Sequence, residues 1–132
     1  MKKNYLITLL LVFGFVSFAE GQTAVDGDFR SRATGNWNAI ATWQVRSVGS
    51  WAAASVVPSS TNNVFIQSGH TVTLDATGAA NGLCNNLNIN TAGVLQISNA
   101  YNVQASGKIR AYTGAAVVTT GVGDFIDVST TA

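Results

Sequence analysis

Between Asn62 and Leu74 the chain reads NNVFIQSGHTVTL, and Val64, Ile66, Val72 and Leu74 alternate there with Phe65, Thr71 and Thr73. Apolar side chains at every second position mark a strand with one face turned to a core. The phrase then returns: NNVFI (Asn62–Ile66) is followed by NNLNI (Asn85–Ile89) and NAYNV (Asn99–Val103). Six positions after each closing Ile or Val stands another apolar residue, Val72, Leu95 and Ile109, and a glycine lies between, at Gly69, Gly93 and Gly107. Each phrase predicts strand, bend, strand, with the glycine supplying backbone angles, often at positive φ, that side chains resist.

Repetition at an interval of a few tens of residues is the mark of a solenoid, whose units bury their apolar faces only against one another. In that arrangement Ile66 stacks under Ile89 and Val103, and Leu74 under Ile97 and Ala111, with rungs about 4.8 Å apart. Asn62, Asn85 and Asn99 then share one corner, where stacked amides satisfy each other and the turn backbone. The fold predicted first is all-β, the start of a right-handed parallel β-helix with an N-terminal aromatic cap. The intervals are unequal, since the step from Ile66 to Ile89 is much longer than the step from Ile89 to Val103. Rungs with loops of different length allow this, and so does the alternative, an antiparallel β-sandwich in which each glycine bend is a hairpin.

The amino terminus changes how composition is read. Met1-Lys2-Lys3 is a short basic start, the run Tyr5–Ala19 is almost wholly apolar, and small residues stand at cleavage spacing, for a cut after Ala19 or Gly21. That is the pattern of a secretory signal peptide over residues 1–21, its apolar run too short to span a bilayer comfortably. Without it, five basic side chains (Arg30, Arg32, Arg46, Lys108, Arg110) balance five acidic ones (Asp26, Asp28, Asp75, Asp124, Asp127). A neutral chain lacks the basic excess expected of a partner for nucleic acid or anionic membrane. Gly, Ser, Thr, Asn and Ala instead suit turns and strands outside the cell, so the expected address is secreted or cell-surface. The lone cysteine, Cys84, excludes an intramolecular disulfide and reads as a small buried filler.

Residues 22–61 differ in kind from the repeats. Gln22–Asp28 reads as a loose lead-in, and Asp26-Gly27-Asp28 as a turn, because two carboxylates are a poor start on the roughly six to eight oxygens calcium takes. All three tryptophans, Trp37, Trp43 and Trp51, lie in this part with the only proline, Pro58. A solenoid's first rung leaves a flat apolar end and an unpaired edge, and aromatic bulk just before the first repeat meets that need. Trp37 and Trp43 are therefore assigned to a cap. Trp51, in the turn Gly49-Ser50-Trp51, is the one expected to be exposed, as an aromatic platform for a sugar ring.

GNWNAIATW (Gly35–Trp43), Pro58–Val64 and then Ile66-x-x-Gly69-His70-Thr71-Val72-Thr73-Leu74 together resemble the amino-terminal segment of large secreted bacterial surface proteins of the type IX route. There a G-N-W-x-x-x-x-T-W phrase precedes P-x-x-x-D/N-N-V-x-I-x-x-G-H-T-V-T-L. The second half is also similar to the opening of the G-eight domain of extracellular β-rich proteins. The likeness covers Phe29 to Ile97 and departs at Ala39-Ile40, where Asp-Pro or Ser-Pro is commoner. It implies β-helical rungs and an adhesin-like or polysaccharide-associated role at the bacterial outer surface, and brings no catalytic set.

The residues themselves point to no reaction. A glycosidase needs two carboxylates at a set separation; alternation instead sends Lys108 and Arg110 outward, expected on the column above Val94 and Gln96 and then Thr71 and Thr73, with no acid in register. His70 belongs to the bend, its ring expected to bond backbone, and has no partner at metal-ligand spacing. No nucleophile elbow or phosphate loop is present, and no cofactor or metal site is predicted. Asp124–Ala132 lies on the pattern Asn85–Gly93 and stops where the bend glycine belongs, so rungs over 62–132 are expected to continue in the same chain. Two functions remain: a structural or adhesive surface module without catalysis, or a domain handling cell-surface polysaccharide through Trp51, Lys108 and Arg110.

Overall fold

The computed structural model describes residues 22–75, 80–98, 101–120 and 126–128. The expected signal peptide, Asn99 and most of the carboxyl-terminal phrase lie outside the described residues. The strands are β1 (Phe29–Ser31), β2 (Gly35–Asn36), β3 (Trp43–Ser47), β4 (Ser50–Ala53), β5 (Val64–Ile66), β6 (Thr71–Leu74), β7 (Gly82–Cys84), β8 (Leu87–Ile89), β9 (Val94–Ser98), β10 (Val103–Ala105), β11 (Ile109–Ala111), β12 (Ala116–Thr120) and β13 (Ile126–Val128), with a 3-10 turn at Ile40–Thr42. The structure is all-β, in three sheets. One runs β11-β8-β5-β1-β3-β4, the second β12-β9-β6-β2 and the third β13-β10-β7.

Strands on either side of Gly69, β5 and β6, belong to different sheets and do not pair, so the bend is not a hairpin. Each instead pairs in parallel with its counterpart further along: Ile66 with Ile89, Ile89 with Ala111, Leu74 with Ile97, Ile97 with Thr119. Antiparallel pairing among the described residues is confined to β1 with β3 and β3 with β4, which makes the first sheet mixed. The expected place of Val103 above Ile89 is wrong. Val103 pairs with Gly82 and Ile126 in the third sheet, and Ala111 takes the place over Ile89. The intervals are then nearly even, with the steps from Ile66 to Ile89, from Ile89 to Ala111 and from Cys84 to Ala105 almost equal in length. Each unit has a third strand besides the two that its repeated phrase predicts.

The lead-in Gln22–Asp28 is not loose: Gly27 N–H donates to Arg46 O and Arg46 N–H to Asp28 O, each at 2.9 Å. After it, β1 pairs in parallel with β5, and β2 with β6, so residues before the first phrase already lie in register beneath it. Val25 and Asp28 close a turn, with Asp28 N–H donating to Val25 O at 3.1 Å and the Asp28 carboxylate accepting from Val25 N–H at 2.8 Å.

The bends repeat with one geometry. His70, Gly93 and Ala115 donate their N–H to Gln67, Asn90 and Tyr112 carbonyls at 3.1, 2.8 and 2.8 Å. The third residue of each turn has positive φ: Gly69 at 75°, Ala92 at 59° and Gly114 at 73°, the signature of a type II turn. The expectation that Gly93 and Gly107 serve the same purpose fails, since neither has positive φ. They are small because backbone and amides crowd them. A Cβ on Gly93 would stand 3.0 Å from Asn90 O and 3.1 Å from Gln67 O, and one on Gly107 would collide with Asn86 Oδ1.

At the other corner, Asn85 N–H donates to Asn62 O and Gly107 N–H to Asn85 O, each at 2.7 Å. The Asn63 carboxamide accepts from Asn85 Nδ2 at 3.1 Å and Asn86 Nδ2 at 2.8 Å, and donates to Asp28 at 2.9 Å. Asn86 Oδ1 in turn accepts the Lys108 N–H at 2.7 Å. The amide ladder thus runs through Asn63 and Asn86, while Asn62 turns its side chain to Gly27 O and Ser59.

Inward residues of all three sheets form one apolar cluster, among them Ile66, Leu74, Cys84, Leu87, Ile97 and Val103, all fully buried. Each fully buried aliphatic side chain of this kind contributes about 1.5–3 kcal/mol. Trp37 and Trp43 join it, buried and edge to face with ring centroids 5.2 Å apart, and Trp43 Nε1 donates to Trp37 O at 2.6 Å. Their position is set by the 3-10 turn between them, in which Thr42 Oγ1 donates to Asn36 O at 2.8 Å.

Candidate ligand-binding groove

The face of the first sheet that points away from the core is covered in part by the lead-in. Along it, registered pairs set Arg110 beside Asn88, Asn88 beside Phe65, Phe65 beside Arg30, and Arg30 beside Gln44. Gln22 lies over this row, its side-chain oxygen accepting from Asn88 Nδ2 at 2.9 Å and from Arg110 Nη1 at 3.4 Å. Phe65 and Asn88 are consequently buried although they point outward. This corrects the expected column for Arg110, because β11 pairs with β8 and the residues above Val94 and Gln96 are Ala116 and Val118.

A groove of about 530 Å³ opens beside the row, with Phe65 in its lining, Arg30 and Trp51 from β1 and β4, and Tyr112 from beyond β11. One wall is a ladder of turn residues, Gln67, Asn90 and Tyr112, each the first residue after its strand. No Asp or Glu lines it among the described residues. Trp51 is half-buried rather than exposed: it faces Arg46 across the β3–β4 pair, and the guanidiniums of Arg30 and Arg46 stand 4.5 and 5.9 Å from its ring centroid. Arg30 also donates Nε to Gln44 Oε1 at 2.9 Å. Asp26, 3.6 Å from Arg46 Nε, makes the one ion pair among the described residues.

Of the three residues expected to touch a ligand, the structure brings Trp51 to this groove and Arg110 next to it through Gln22. Lys108 stands apart, exposed at the asparagine corner. Arg30, Phe65 and Tyr112 are not singled out by the sequence. The signal available for them is the outward aromatic inside VFI, at the position where the next unit carries Asn88.

The other chemical candidates are structural. His70 Nδ1 is 2.8 Å from Ser31 Oγ, not bonded to backbone as expected, and Ser31 is buried and also accepts from Gln67 N–H at 2.8 Å. Such a hydroxyl has no access to substrate. Cys84 is buried, and desolvation pushes its thiol up to about 12, which leaves it protonated and unreactive at neutral pH. Among the described residues no three His, Cys, Asp or Glu side chains are grouped to hold a metal ion, and no helix is long and apolar enough to cross a membrane. Comparison of the chain with models of protein families, with curated proteins and with solved structures finds no match.

Proposed function

We propose that this chain is a structural module of a secreted or cell-surface protein, the beginning of a right-handed parallel β-helix with an adhesive or scaffolding role and no catalysis in this segment. The observation that carries the reading is the even register. Strands separated by nearly equal lengths of chain pair in parallel in all three sheets, around one core to which every sheet contributes. Connections between parallel strands of one sheet are right-handed in nearly all proteins, which supplies the hand. Trp37 and Trp43 serve as the cap of the first rung. A stack held by backbone ladders, with short bends and few charges, suits a rigid spacer better than a moving catalyst. The apolar run Tyr5–Ala19 behind a basic start supports the extracellular address.

The test is a pair of cysteines at Thr73 and Gln96, partners on adjacent strands, in a Cys84→Ala background. Oxidation should close an intramolecular disulfide and raise resistance to denaturant. Failure of the pair to close in a folded protein would sink the coil. The address is checked separately, by the amino-terminal residue of the exported protein, expected just after Ala19 or Gly21.

A further inference from the structure

The groove on the outer face of the first sheet has properties that a spacer does not require. Gln67, Asn90 and Tyr112 stand at the same offset after β5, β8 and β11, so polar groups recur along its wall at the strand spacing of about 4.8 Å. The arrangement suits an extended polymer with a short polar repeat. Trp51 and Tyr112, both half-buried, add apolar surface of the kind on which the C–H faces of a sugar ring rest, and a volume of about 530 Å³ lies within the usual range for ligand sites.

Charge narrows the ligand. Arg30 and Arg110 lie on this face without an ion-pair partner among the described residues, and no carboxylate lines the groove. A guanidinium held against an indole keeps its charge and its planar fork, which matches a carboxylate. The backbone narrows it further. The free edges of this sheet are β4 and β11 at its two ends, whereas β1, β5 and β8 beneath the groove are each paired on both sides, so a peptide cannot join as a strand along the groove's floor.

We propose that the groove binds a segment of an acidic polysaccharide, one with carboxylates on its sugar rings. Arg30 receives a carboxylate, Gln67 and Asn90 bond ring hydroxyls, and Tyr112 bounds the far end. The site does not depend on whether the stack continues beyond the described rungs, and it is distinct from the spacer role.

The test is affinity electrophoresis of the full exported chain in native gels that contain polygalacturonate, hydroxyethylcellulose or polyglutamate. Retardation is expected in polygalacturonate alone, about tenfold weaker in Arg30→Gln and in Tyr112→Ala, and unchanged in Lys108→Gln. Melting curves accompany each variant, and if Arg30→Gln loses its fold, Tyr112→Ala decides. Wild-type retardation in folded Tyr112→Ala, or no retardation at all, overturns the proposal. Equal retardation by hydroxyethylcellulose overturns the acidic class, and equal retardation by polyglutamate overturns the saccharide.

Discussion

Gly82 lies flat against the indole of Trp37: a Cβ built on it would stand 2.9 Å from Cδ2 and 3.0 Å from Cε2. The first strand of the third sheet thus rests on the buried tryptophan, and the missing side chain makes the room. Gly82→Ala should destabilise by about 1–3 kcal/mol, the usual cost of overpacking. In a Trp37→Phe background the same change should cost less, because the smaller ring leaves space. A double-mutant cycle by urea denaturation reads the coupling, and strict additivity would mean that the two do not press on each other.

The two buried tryptophans are not equivalent. Trp43 Nε1 donates to Trp37 O at 2.6 Å, whereas Trp37 Nε1 has no partner among the described residues. Phenylalanine at either position loses ring volume, but only at Trp43 does it also leave a buried carbonyl short of a donor. Trp43→Phe is expected to cost about 1 kcal/mol more than Trp37→Phe, measured as the difference in unfolding free energy.

Ala92 holds a φ of 59° at the turn position that Gly69 and Gly114 fill with glycine. A side chain in the left-handed region costs about 1–2 kcal/mol, partly offset by glycine's larger freedom in the unfolded chain. Ala92→Gly should therefore stabilise by about 0.5–1 kcal/mol, and Gly114→Ala should destabilise by a similar amount. Thermal melts check both. A fall in melting temperature for Ala92→Gly would count against the turn as described.

Cys84 gives the alkaline response. Burial raises its thiol from 9.0 to about 12 in the folded state, so above pH 9 the unfolded chain ionises first. Its contribution to stability is full below that pH and is lost as pH climbs from 9 toward 12. Unfolding free energy should fall across that window in the native chain and fall less in Cys84→Ala. A disulfide reagent under mildly alkaline conditions should label Cys84 only as the protein unfolds.

The repeating units are legible in the sequence where strands are long enough to alternate. Thr71–Leu74 and Val94–Ser98 bury every second residue, and the matching phrases before them place Ile66 under Ile89 correctly. The third strand of each unit is not legible: Gly82–Cys84 and Val103–Ala105 are 3 residues long, too short for a period to show. The wording of NAYNV consequently points to the wrong sheet, and a nearly even repeat looks uneven. The bend misleads for a related reason. Position, not residue type, sets the positive φ, and Ala92 occupies that position while Gly93 answers to crowding. Nor does any local pattern announce the groove, since Arg30, Trp51, Phe65 and Tyr112 meet only through the pairing of strands far apart in the chain.

Asn63 ties three layers at one corner, and its amide is used in both senses. Oδ1 accepts from Asn85 and Asn86 in the layer above, while Nδ2 donates to Asp28 in the layer below. A carboxamide does both at once, with separate atoms for the two senses. Asn63→Ala abandons three hydrogen bonds; Asn85 and Asn86 are half-buried and their amides can turn to water, whereas the buried Asp28 loses a partner, so a cost of about 1–3 kcal/mol is expected. Asn63→Asp keeps the acceptor for the upper amides yet sets a second carboxylate against Asp28, a like-charge contact in place of a bond. At neutral pH it should therefore be at least as damaging as the alanine variant despite its closer shape. The companion change Asp28→Asn removes that repulsion, and in an Asn63→Asp/Asp28→Asn pair the roles reverse, the lower amide donating upward to the new carboxylate. Chemical denaturation of the four proteins at neutral pH should find the double variant more stable than Asn63→Asp alone, and a double variant no better than the single would mean that the corner is held by backbone alone.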